Sequence, residues 1–546
     1  MFHRLRRPAA AVVATGLLTL GLVACGSEEE SDSSDLSGNR VGAMSDFGVG
    51  DQFKATEALN FSTMYLNHPN YPLKKEWLFW EELNKRTNVT LETVEAPLSD
   101  YEQKRSLVIG AGDAPFIIPK TYPGSETAFV ASGAVLPVSD YIDLMPNFKD
   151  KLEKWNLKAD VDTLRQSDGK FYLLPGLHER VWPDYSLAVR TDILEEIGQP
   201  VPTTWDGVRD MLRAMKAKYP DSTPLSDRFS KPTPGGNLFN ILGEAYGTRG
   251  GWGYLSGATW DRNAGKFTLA GAMPEYKQMV EFLHSLVQEG LLDPETFTQT
   301  DDEARQKLAT GKSFVINSNA QILVNEYRKD LASNPAAKIT KIPRPTGPAG
   351  NVVTGSRLEN GIMISKEARE SEHFVAMMQF IDWLWYSDAG QEFAKWGVEG
   401  TTYNKDAAGK WTLAPDVDYV SLNPSGTKHL QVDFGFGNGV FAYGGKSELL
   451  WSTFSEEEVA FQEAMATKEI LPVDPPYPFT DEEREQATLW ETPLKDFVAQ
   501  STLQFILHQR DLSEWDAYLA ELKGKNMDQF IELVNKAHQR YQEEHG

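Results

Sequence analysis

The sequence predicts an α/β protein, rich in helix and built as two large lobes. Three observations carry that expectation. The chain has 546 residues, 41% of them hydrophobic, which is enough to bury more than one core. Short apolar runs of strand length alternate along it with longer amphipathic stretches, the pattern of helices laid against sheets. A single stretch from Trp182 to Gly207 then joins strand to helix to helix. Tyr185 to Arg190 alternates as a strand, Thr191 and Asp192 offer an N-cap, Ile193 to Ile197 forms one or two helical turns, and Gly198 stops them. Pro202 breaks the chain, Thr203 or Thr204 caps again, Asp206 favours the positive helix end, and Val208, Met211, Leu212 and Met215 recur at helical spacing.

Taken from the N-terminus, Arg4, Arg6 and Arg7 precede an apolar run, Pro8 to Val23, and Leu22-Val23-Ala24-Cys25 gives way to an acidic, serine-rich segment. This reads as a targeting segment over 1–25, because the run is short for a membrane span and contains Thr15, Gly16 and Thr19. Residues 26–58 read as a flexible acidic tether. Lobe 1 is expected mainly from 59–184, lobe 2 with hinge crossings from 185–356, and return segments with C-terminal helices from 357–546.

In lobe 1, Phe61 to Leu66 is a strand and Leu73 to Lys85 a helix. The loop between them lies at a strand's carboxyl end, where open α/β sheets bind ligands, so His68 and Tyr71 are candidates; the competing reading is a proline-stiffened turn. Val89 to Ala96 and Ala114 to Pro119 are strands separated by a helix over Asp100 to Ile109. Asp113, in the turn before the second strand, either accepts ligand hydroxyls or fixes its own turn, and Tyr122 stands just beyond that strand. Asp168-Gly169 reads as a hairpin turn with Phe171 to Leu174 as the return strand. Trp182 and Tyr185 either stack on a ligand or pack the hinge.

In lobe 2, Trp252 follows a Gly250-Gly251 bend, and Trp260 to Phe267 reads as a hairpin whose Asp261 and Asn263 lack the further acidic ligands of a calcium loop. Amphipathic helices are expected over Met273 to Glu289 and Asp301 to Ala309, followed by a strand at Ser313 to Ile316. At its tip, Asn319 either contacts a ligand or caps a helix at Ala320. The run from Phe434 to Gly445 is too rich in glycine for a strand and matches neither a phosphate-binding loop nor a dinucleotide fingerprint; it reads as a cleft loop offering Phe441 and Tyr443.

Charge and cysteine content narrow the function. Removing the three arginines of residues 1–25 takes the formal net charge from −24 to −27, which repels phosphate backbones, and nucleic acid is not expected as a partner. Cys25 is the one cysteine, so no intramolecular disulfide and no cysteine-based metal site can form. The sequence calls for no cofactor and no metal.

Strand, short helix, Pro-x-Thr-Trp-Asp and amphipathic helix across Trp182 to Gly207 resemble the hinge-crossing segment of bacterial extracellular solute-binding proteins, the capture subunits of ABC importers. Leu22 to Cys25 resembles a lipobox, and Tyr386-Ser387 to Gly390, then Trp396-Gly-Val-Glu-Gly400-Thr-Thr-Tyr403, resembles a pattern of a long-chain, carbohydrate-related branch of that family. The resemblance implies a two-lobed, periplasmic-binding-protein-like fold of type II and a monomer lipid-anchored through Cys25 on the extracytoplasmic face of the cell membrane. It further implies capture of a carbohydrate, an oligosaccharide in this branch, by hinged closure, and delivery to a membrane permease. Rings such as Trp182, Trp252 and Tyr443 would cover sugar faces, Asp113, Asn319, Arg357 and Glu399 would satisfy hydroxyls, and Tyr403 closes the motif. Glu399 either accepts hydroxyl protons or braces the hinge. Two alternatives stay open: a peptide receptor, and a secreted glycoside hydrolase, which would need a carboxylate pair that no motif marks.

Overall fold

Of the sixteen strands among the described residues, the first eleven position the site in the computed structural model, which describes residues 35–230 and 233–545. In chain order they are β1 (Leu59–Asn67), β2 (Val89–Pro97), β3 (Ile117–Thr121), β4 (Leu174–Leu177), β5 (Ser186–Arg190), β6 (Ala258–Asp261), β7 (Lys266–Leu269), β8 (Val315–Ser318), β9 (Ile339–Lys341), β10 (Val352–Thr354) and β11 (Leu358–Ile364). The targeting segment and Cys25 lie outside the described residues. The chain divides at Gly38, and the architecture below belongs to Asn39–Gly546.

The first sheet has the order β2-β1-β3-β11-β4, with β1 parallel to β2 and β3, and β11 antiparallel to β3 and β4. Apolar residues of β1 are buried on both faces, and one of those faces meets an aromatic core. Phe79, from the helix Leu78–Thr87, stacks on Phe441 at 4.8 Å and on Phe393 at 5.4 Å, while Phe61 meets Phe380 at 6.0 Å. Rings of this size bury large apolar areas, and their clustering makes this the heaviest packing of lobe 1.

The second sheet has the order β8-β5-β9, all antiparallel. Its middle strand was expected to alternate, yet all five residues of β5 are buried. Leu187 and Val189 join a core containing the helix Pro274–Gln288 and the C-terminal helices, while Ala188 faces Leu308, Ile316 and Tyr327 on the other side. A strand covered on both faces has no polar side to show. The helices Asp481–Ile506, Trp515–Gly524 and Met527–His545 therefore complete the second lobe.

The chain passes between the two sheets three times. His178 to Tyr185 links β4 to β5, the segment 342–357 links β9 to β11, and the helix Glu456–Met465 leads from lobe 1 towards the C-terminal helices. That helix is fixed at the waist by Phe461 and Met465 packed on Val353, and by Gln462, whose amide donates to the Pro183 carbonyl at 2.9 Å.

Two local expectations are corrected. Residues 39–58, grouped with the tether by composition, are held by specific contacts: Phe53 and Ala55 are buried, the Ala55 amide donates to Thr87 at 2.8 Å, and the Met44 amide to Gln379 at 2.9 Å. A few well-placed apolar residues suffice when an existing core offers a groove for them, and composition averaged over the segment hides this. Gln166 to Lys170 does form a tight turn, but Phe171 to Leu173 is not its return strand; β4 starts at Leu174 and pairs instead with β11. The hairpin at Trp260 to Phe267 is present as β6 and β7, and Asp301–Ala309 is a helix with a capping box from Thr300 and Glu303. Among the described residues no helix is long and apolar enough to cross a membrane.

Candidate functional site

Between the two sheets lies a cavity of about 460 Å³. Tyr122 and Lys120 come from the end of β3, Glu359 and Asn360 from β11, His178 from the end of β4, and Asp184 and Tyr185 from the crossing into β5. Asn319 and Lys341 come from the ends of β8 and β9, and the loop from Gly437 to Gly444 forms one wall with Tyr443. Both sheets thus contribute strand ends, the position at which open sheets hold ligands.

Six of the sequence candidates line this cavity: Tyr71, Tyr122, Trp182, Tyr185, Asn319 and Tyr443. Trp182 lies nearly parallel to Phe454 with centroids 6.2 Å apart, and its ring nitrogen is buried without a partner. Asn319 caps the helix at Ala320, Oδ1 accepting from the Ile322 amide at 2.9 Å, while Nδ2 donates to Asp184 at 3.1 Å on the cavity wall.

The other candidates are placed elsewhere. His68 sits behind Tyr71, stacked at 4.6 Å, its Nδ1 accepting from the Asn70 amide; burial and the nearby Lys120 lower it to about 4, so it is neutral. Trp252 is outside the lining and meets Tyr185 edge-on at 5.3 Å. Arg357 donates to the carbonyls of Trp155 and Asn156 and pairs with Asp160, a brace within lobe 1. Phe441 is buried in the aromatic core, and Tyr403 is buried with its hydroxyl on Glu392. Asp113 and Glu399 are exposed on turns away from the cavity. Proximity in sequence to a cleft loop does not decide which way a side chain points, and a large apolar ring falls to the core when the core can take it.

The charged groups were missed. Glu359 accepts from His178 Nε2 at 2.8 Å and from the Gly444 amide at 3.1 Å; burial works to raise its carboxyl, but His178, Lys120 and Lys395 outweigh it and hold the group below the usual range. Burial lowers Lys395 to about 8, so it is still charged at neutral pH. Lys120 adopts φ +56°, and although burial opposes its charge, Tyr122, Tyr71 and Glu359 hold its ammonium above the ordinary value. Burial raises the Asp184 carboxyl against the opposing influence of Lys341 and Asn319. Lys341 pairs with Glu458 at 2.7 Å. One available signal was Lys120 itself, a lysine inside the apolar run Ile117-Ile118-Pro119, where a charge is costly unless something meets it. Val420 also borders the cavity at φ +49°, a strained backbone for a β-branched residue.

Two α/β lobes, three crossings and a cavity floored by strand ends define a protein built to enclose a solute. The profile of the family described as bacterial extracellular solute-binding protein matches residues 70–392, and the chain belongs to that family. It is 23% identical over 560 residues to the fructooligosaccharide ABC transporter substrate-binding protein FusA of Streptococcus pneumoniae serotype 4, covering 97% of this chain and 98% of that one. It is also 23% identical over 331 residues to the polygalacturonan/rhamnogalacturonan-binding protein YtcQ of Bacillus subtilis, covering 60% of this chain and 63% of that relative. Among solved structures, the alginate-binding protein AlgQ2 superimposes with a TM-score of 0.66 at 18% identity, over 89% of this chain and 99% of the other. The fold is accordingly the two-lobed, periplasmic-binding-protein-like α/β fold that the sequence predicts.

Proposed function

We propose that the protein is the extracellular substrate-binding subunit of an ABC importer and captures an oligosaccharide by closure of its two lobes. The observation that carries this reading is the lining of the cavity, where rings from both lobes, Tyr71 and Tyr122 on one side and Tyr185 on the other, accompany polar groups including Asn319, Asn360 and Glu359. Rings cover the apolar faces of sugars, and amides and carboxylates fix their hydroxyls. A ligand touching both lobes stabilises the closed arrangement by its differential contacts. Relatives that carry sugar-polymer names favour a carbohydrate over a peptide. Lipid attachment at Cys25 to the cell membrane, monomeric action and delivery to a permease complete the proposal, resting on the Leu-Val-Ala-Cys sequence and on family membership.

A hydrolase reading has one observation in its favour: Asp184 and Glu359 both border the cavity, with one carboxyl held high and the other low. A thermal-shift screen against mono- and oligosaccharides tests capture, because a ligand that binds only the folded form raises its melting temperature. Chromatography of the recovered ligand tests hydrolysis. Capture requires a raised melting temperature and an intact sugar; shortened products would establish the hydrolase.

A further inference from the structure

Most charges that border the cavity have a partner. Lys341 is paired with Glu458, Glu457 with Arg328, and Asp184 accepts from Asn319. The corner in lobe 1 is different. Lys120 and Lys395 both border the cavity, and among the described residues neither forms an ion pair. Lys395 donates to the Ala442 carbonyl at 2.8 Å, which uses one of its three donors. The carboxylate that acts on both, Glu359, is already engaged by His178, by the Gly444 amide and by Asn360 at 3.2 Å. Two ammonium groups therefore share one carboxylate, a local excess of positive charge in a chain whose net charge is −24.

Two buried ammonium groups that divide one carboxylate are left under-compensated, and a neutral polyol arriving beside them would not supply the missing charge. An anionic ligand group would. We infer that Lys120 and Lys395 form a subsite for a carboxylate, so that the captured carbohydrate is an acidic one carrying uronate units. This rests on the carbohydrate reading above.

The surroundings are built for such a unit. His178 Nδ1, Asn360 Oδ1 and the Tyr443 hydroxyl are buried without partners, and all three residues border the same cavity, offering positions for ring hydroxyls once the carboxylate is seated. Gly439 keeps the approach open, since a Cβ there would lie 2.8 Å from the Tyr71 hydroxyl and 3.6 Å from Lys120 Nζ.

The test is calorimetric titration of the full chain with trisaccharides of galacturonate, mannuronate and glucuronate, each against its neutral hexose counterpart, in the wild type and in Lys120→Met, Lys395→Met and Lys120→Arg. At least one acidic trisaccharide should bind about tenfold tighter than its counterpart, as expected for charge-assisted contacts. Each methionine variant should bring that ratio close to one, and Lys120→Arg should keep most of it. Melting curves identify any variant that fails to fold, and the wild-type ratio stands without the variants. Equal or tighter binding of every neutral counterpart, or a preference that survives both methionine changes, would overturn the acidic subsite alone. If no carbohydrate of either kind raises the melting temperature, the capture reading falls with it.

Discussion

Replacing Lys341 by methionine removes one half of an ion pair that is almost sealed from water. The Lys341 side chain is 1% exposed and that of Glu458 5%, with 2.7 Å between them. The same ammonium donates to the Asp184 carbonyl at 2.9 Å and lies 3.8 Å from the Phe461 ring centroid. After the change Glu458 keeps only the Gln462 amide, at 2.9 Å. An uncompensated buried charge costs about 3–5 kcal/mol, a large share of the ~5–15 kcal/mol by which folded proteins are stable. Replacing both partners, Lys341→Met with Glu458→Leu, should recover most of that loss and leave about 1 kcal/mol for the orphaned Asp184 carbonyl. Burial holds the Glu458 carboxyl above its ordinary value even with Lys341 present, so in the single variant its folded pKa lies further above the unfolded one. The folded state then takes up a proton before the unfolded chain does, and the deficit shrinks as pH falls through that window. Urea unfolding followed by tryptophan fluorescence, with midpoint and m value both recorded, gives the comparison. A loss below about 1 kcal/mol in the single variant, or a double variant as unstable as the single, would refute the reasoning from buried charge.

Other perturbations probe the cavity and its supports. Trp182→Ala should weaken ligand binding at least about tenfold, measured by titration, while unfolding without ligand changes little; a large loss of apo stability would make Trp182 a packing residue. Gly176→Ala would place a Cβ 2.6 Å from the Tyr443 ring and 3.0 Å from the Asn360 carbonyl, forcing that wall of the cavity to shift, and should lower ligand affinity in the same titration. Buried Asp382 is raised to about 6, with burial the dominant cause against the amides of Asn147 and Phe148 that donate to it. A raised folded pKa means that this group's share of stability is full at low pH and is lost as pH rises from about 4, the ordinary value, to about 6, so Asp382→Asn should flatten the fall in urea midpoint across that range. Identical slopes in wild type and variant would remove Asp382 from that account.

Much of the fold was legible because its signals are local. The Thr204 side chain accepts from the Gly207 amide at 3.0 Å and the helix Trp205–Lys218 buries Val208, Met211, Leu212 and Met215, as their spacing predicts. Family membership was legible for the same reason, through short ordered motifs. The candidate site was legible only in its rings and Asn319. Aromatic residues in loops between strands were easy to nominate, yet Phe441 and Tyr443, two residues apart in one loop, part ways: the first stacks on Phe79 in the core, the second borders the cavity.

Sequence alone determined the class of the protein, the alternation of strands and helices, and the acidic, single-cysteine character that leaves no intramolecular disulfide. Tertiary structure decided which charges meet. Lys120, Lys395 and Glu359 come from parts of the chain far apart in order, and nothing in their neighbours signals that two ammonium groups and one carboxylate share a corner. Caps and helical faces depend on residues a few positions away, whereas the surplus of charge in a cavity depends on the sum over segments brought together only by folding.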